Sequence, residues 1–117
     1  MADTERNFLV DQCQRKVAQA DKTLASFIKK LSEHPVHACA WGDSAMKAAV
    51  EKEMYSGLKS MLMNVNLSLK ELENMYLGDL MRGVNNGNST STMHNLINQM
   101  QSSVTSEILG MIRSVEQ

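Results

Sequence analysis

With 117 residues, 43% of them hydrophobic and 21% charged, the chain has the size and composition of one folded domain rather than a disordered or multi-domain protein. Its formal net charge is −1, with Lys and Arg interleaved among Asp and Glu, which argues against the concentrated basic footprint of a nucleic-acid binder. Only 4% of the residues are aromatic, so the core must be aliphatic, and that suits helix-on-helix packing better than a sheet.

From Thr4 to Glu33 apolar residues recur as Val10, Cys13, Val17, Ala20, Leu24, Phe27 and Leu31, in alternating steps of three and four. This is a heptad seam on one long helix. The basic residues of the same stretch, Arg15, Lys16, Lys22, Lys29 and Lys30, alternate with Asp11, Asp21 and Glu33 and read as a solvated face. Pro35, the sole proline, disfavours helical geometry at His34 and ends the rod. Residues 35 to 42 then form a compact connector around the sole tryptophan, Trp41, short enough to imply a hairpin.

Asp43 or Ser44 is placed to cap a second helix, whose stripe is Met46, Ala49, Val50, Met54, Leu58, Met61, Leu62 and Val65. Near residues 64–68 two readings compete. Ser68 with Glu71 three residues on forms a capping-box pattern, flanked by Leu67 and Leu72 at staple positions, and would start a new helix. The stripe nevertheless runs on in phase through Leu69, Leu72, Tyr76 and Leu80, which favours one continuous, kinked helix to about Arg82. Gly83 to Thr92, rich in Asn, Ser and Thr, reads as a loop. The last helix carries Met93, Ile97, Met100, Val104, Ile108, Met111 and Val115. The expected fold is therefore all-α: an elongated hairpin or bundle of three long helices, or four if the second is broken at residues 64–68, in a single domain over residues 1–117.

Ten methionines, six of them between Met46 and Met81, distinguish the chain. Methionine's unbranched, polarizable side chain suits a surface that repacks against a partner. Over residues 61–81 the main stripe occupies one side of the helix, while Met63, Leu67, Leu77 and Met81 point toward the other. A helix apolar on both sides must be covered on both, so a homodimer or a constitutive partner is expected. In a compact four-helix bundle the second set would instead turn inward. On the last helix, Asn98, Gln99, Ser102, Thr105, Ser106, Leu109 and Gly110 form an uncharged side, and with Gly57 and Gly78 they suggest a close helix crossing.

Signatures of chemistry are weak. His34, His37 and Cys39 supply three soft-metal ligands where a structural zinc site needs four, usually in paired spacings. His94 opens the last helix, but a phosphotransfer histidine expects Lys and Gly three and four residues on, where Ile97 and Asn98 stand. The pairs Glu51/Glu53 and Glu71/Glu73 are two apart and do not share a helix face. There is no phosphate loop or nucleophile elbow, so no catalytic residue and no cofactor is assigned.

The amino terminus is acidic, with no apolar run long enough for a signal sequence and none approaching the ~20 residues of a membrane span. Two cysteines provide no disulfide framework, and a cytoplasmic location is expected. The function read from these features is non-enzymatic: a protein-interaction module, such as an adaptor, an escort or an inhibitor. Its expected contact residues are Met54, Met61, Met63, Leu67, Met75, Leu77, Met81 and Leu109. The alternatives are a metal- or ligand-dependent regulator using His34, His37 and Cys39, and a nucleic-acid-binding helical dimer.

Overall fold

The computed structural model describes residues 1–64, 66–85 and 92–116. Helix α1 runs over Asp3–Glu33 and a short α2 over Pro35–Ala38, followed by a 3-10 turn at Cys39–Trp41. Three longer helices complete the chain: α3 (Gly42–Leu62), α4 (Leu69–Asn85) and α5 (Thr92–Glu116). No strand forms among the described residues. At about 1.5 Å per residue α1 alone spans roughly 46 Å, and it sets the long dimension of a molecule measuring 48 × 32 × 21 Å.

Pro35 acts as its chemistry requires. His34 leaves helical geometry with φ −141° and ψ 71°, its N–H still bonded to the Lys30 carbonyl at 2.7 Å, and Pro35 then opens α2. Without an N–H to satisfy and with φ preset, proline is suited to a first helical position. The 3-10 turn leads directly into α3, which starts at Gly42 with no side-chain cap. The expected caps Asp43 and Ser44 therefore lie inside the first turn, where Asp43 still complements the helix dipole.

The continuous second helix is corrected by the structure: α3 ends at Leu62 and α4 begins at Leu69, so the bundle has four long helices. Local polar groups explain the break. The Asn64 side chain accepts the Asn66 N–H at 3.1 Å, and the Asn64 carbonyl accepts the Leu67 N–H at 3.2 Å, which offers the backbone an alternative to helical bonding. Ser68 Oγ then accepts the Glu71 N–H at 3.1 Å and caps α4. Leu72 is fully buried and Leu67 packs against the core, as residues flanking a cap at staple positions should. Val65, the last member of the expected α3 stripe, lies outside the described residues, as does most of the expected loop, residues 86–91.

α1 packs antiparallel on α3, and α4 on α5, with α5 also crossing α3. The core joins the amino-terminal half of α1 (Leu9, Cys13) to Val50, Tyr55, Leu58 and Leu62 of α3. Leu72 and Tyr76 of α4 and Val104, Ile108, Leu109 and Ile112 of α5 close it from the other side. None of the apolar residues from Leu24 onward in α1 belongs to this cluster, and Leu31 at the end of the seam is exposed. The α1–α3 hairpin thus reaches well beyond the part that α4 and α5 cover.

Two part-buried contacts tie the helix pairs together. The Tyr55 hydroxyl donates to Glu107 Oε2 at 3.2 Å, tying α3 to α5. The Arg113 guanidinium donates to Glu73 Oε1 at 3.3 Å, tying α5 to α4 around a carboxylate that is nearly buried. A charge so enclosed needs such a partner.

Candidate functional site

The expected contact residues divide into two groups. Met54, Met61 and Leu67 are half-buried and pack against the core, and Leu109 is a core residue at 3% exposure. Leu109 is therefore corrected from a surface contact to an internal one. α5 lies against both α3 and α4, and this double packing buries Thr105 and Leu109 along with Val104, Ile108 and Ile112. The Thr105 hydroxyl is satisfied within its own helix by the Gln101 carbonyl at 2.8 Å. The close crossing suggested by Gly57 and Gly110 is also absent, since a methyl group added at either would meet nothing within 4 Å.

Met63, Met75, Leu77 and Met81 are exposed, at 60%, 45%, 37% and 61%. They do not form one stripe. On α4, Leu77 and Met81 are four residues apart and about 40° apart around the axis, so they share a face. Met75 stands roughly 160° away from Leu77, on the opposite flank of the buried Leu72 and Tyr76. Met63 lies in the turn before α4 and lines a hollow of about 480 Å³ between α1 and α3, with Val17 and Ala18. Among the described side chains of α4, the largest coherent apolar exposure is thus Leu77 with Met81.

A second surface emerges only from the fold. Between the extended halves of α1 and α3 runs an open trough of about 660 Å³. The buried alanines Ala20, Ala45 and Ala48 lie along it, and Phe27 and the half-exposed Trp41 flank it toward the hairpin tip. Lys16, Lys22, Lys30 and Lys47 line it against two acids, Glu51 and Glu107. Among the described residues no carboxylate is within ion-pair distance of any of these four lysines. Lys30 instead places its ammonium 3.8 Å from the centre of the Trp41 ring, and Lys16 lies 5.9 Å from that of Tyr55. Of the basic stretch read as a solvated face, Arg15 does pair with Asp11 at 3.1 Å, but Lys16, Lys22 and Lys30 converge with Lys47 from α3. That convergence depends on helix pairing and leaves no mark in the linear order.

In the connector the His34 and His37 rings meet edge to face, 6.4 Å between centroids, while the Cys39 thiol donates to the Pro35 carbonyl at 3.4 Å. Among the described residues no group of three or more His, Cys, Asp or Glu side chains is arranged to hold a metal ion. Both cysteines are free, Cys13 buried and Cys39 exposed. Burial pushes the Cys13 thiol up from 9.0 to about 11, with the Lys59 ammonium acting in the other direction. Burial likewise raises the Tyr55 phenol, reinforced by the Glu107 carboxylate, and that of Tyr76. These shifts describe inert core groups rather than activated ones.

Among the described residues no helix is long and apolar enough to cross a membrane. Comparison with known proteins finds no matching family model, no matching curated protein and no matching solved structure.

Proposed function

We propose that this protein is a non-enzymatic cytoplasmic interaction module that self-associates through the outer face of α4. The observation that carries the reading is the exposure of Leu77 and Met81 one turn apart on a helix whose opposite side is already buried in the core. In a two-fold pair the same patch meets itself, so Leu77 and Met81 of both copies are buried, four side chains in all. Full burial of a Leu or Met stabilises by roughly 1.5–3 kcal/mol, and these are already partly covered, which leaves about 1 kcal/mol each. Four such contacts give about 4 kcal/mol, which only offsets the lower bound of ~4 kcal/mol for the cost of association, so pairing at micromolar to millimolar concentration draws a further ~4 kcal/mol or more from the surface around this patch. The free thiols of Cys13 and Cys39 agree with a reducing compartment.

The test is the double variant Leu77→Lys/Met81→Lys in size-exclusion chromatography with light scattering. Two lysines per protomer placed face to face abolish the pairing, so the variant should remain at 13.0 kDa at concentrations where the unmodified chain shows a higher mass. Identical masses for the two proteins at every concentration defeat the reading.

A further inference from the structure

We infer that the trough between α1 and α3 is a docking site for an acidic amphipathic helix presented by a different protein. The inference goes beyond the α4 contact and does not rest on it.

Three observations carry it. The first is continuity: α5 reaches the trough at Glu107, whose carboxylate also accepts the Tyr55 hydroxyl in the core. The α1–α3 pair is therefore covered by a helix beside its core half and open beyond it. The second is dimension. Lys16 and Lys30 both line the trough and lie fourteen residues apart on α1, about 21 Å along its axis, which equals four turns of a guest helix. A compact metabolite would fill a fraction of that length. The third is chemistry. Small side chains along the bottom let a guest backbone approach closely, and Phe27 and Trp41 offer apolar anchorage at the tip. Four lysines without carboxylate partners surround this apolar strip on a chain whose overall charge is −1. A helix with an apolar stripe and Glu or Asp on its flanks satisfies both features at once. A nucleic-acid strand would satisfy only the charges, and two acids, Glu51 and Glu107, stand against it.

Trp41 is the sole tryptophan and lies in the site, so its emission reports occupancy directly. The probe is an acetylated, amidated peptide of about eighteen residues, with leucine at helical spacing and glutamate on both flanks, long enough to span the trough. The control replaces every glutamate by lysine. The full chain should give a saturable change in emission with the glutamate peptide, at a concentration roughly ten-fold lower than with the lysine peptide. Lys22→Glu/Lys47→Glu changes two exposed side chains that make no ion pair, and it should weaken the glutamate peptide by roughly ten-fold or more. Leu77→Lys/Met81→Lys should leave the titration unchanged, which separates this site from the α4 seam. Amide chemical shifts of the unmodified chain should move with the glutamate peptide along residues 16–30 and 44–51. Equal response to the two peptides, no response to either, or shifts located elsewhere overturn the inference. So does tighter binding of a short DNA duplex than of the glutamate peptide, or a lower solution mass of the Lys22→Glu/Lys47→Glu variant, which would make the occupant a second copy.

Discussion

Leu62 and Met63 are neighbours in sequence with opposite surroundings, and replacing each by alanine tests which of them the core holds. Leu62 is the last residue of α3 and fully buried, in a core shared with Leu58, Leu72 and Ile112. Truncation to alanine removes a side chain whose transfer is worth roughly 1.5–3 kcal/mol and leaves a cavity that the helix end can only partly close. The expected loss is about 3 kcal/mol. At about 2.1 cal/mol/K per residue the unfolding entropy of this chain is about 0.25 kcal/mol/K, so Tm should fall by about 12 °C. Met63, in contrast, sits in the turn at 60% exposure, and Met63→Ala should stay within about 0.5 kcal/mol of the unmodified protein. Urea denaturation followed by circular dichroism, with thermal melts alongside, measures both. A Met63→Ala loss equal to that of Leu62→Ala would refute the core boundary drawn between these two residues.

Ser68→Ala should cost about 1 kcal/mol by removing the cap on α4, and Ser68→Asp should preserve most of it, as read by the urea midpoint. A thiol reagent applied to the folded protein should modify Cys39 at once and Cys13 only at the rate of unfolding, because one is exposed and the other enclosed. Two equally fast thiols would contradict the core assignment. The contribution of Cys13 to stability should be level up to about pH 9 and be lost as pH rises from 9.0 toward about 11, since the folded state holds the Cys13 proton while the unfolded chain releases it. The loss from Cys13 alone is about 2–3 kcal/mol, and the buried phenols of Tyr55 and Tyr76 act in the same direction at still higher pH. Denaturation series across that range, compared with Cys13→Ala, isolate the thiol's share.

The long rod of α1 and its stop at Pro35 were readable because a heptad seam and a lone proline are local signals. The heptad seam begins at Val10 and does not include Leu9. Leu9 lies one turn ahead of Cys13 on the same face, where α4 and α5 widen the buried side beyond a two-helix contact. The Ser68/Glu71 capping box marks a break near residues 64–68 in the sequence, but the apolar stripe keeps its phase across it and tips the reading toward one continuous helix. Periodicity records which residues seek cover, whereas the backbone bonds of Asn64 and the Ser68 cap decide where a helix ends. For the surfaces, the exposure of Leu77 and Met81 followed from their angle on α4, while Met54, Met61 and Leu109 were claimed by contacts between helices that no single-helix projection contains. The lysine-lined trough required α1 and α3 to be brought side by side.

If α4 carries more apolar surface than one copy covers, sedimentation equilibrium of the unmodified chain, from micromolar to several hundred micromolar, gives a weight-average mass that climbs with concentration from 13.0 kDa toward twice that value. A mass fixed at 13.0 kDa over the whole range contradicts the pairing.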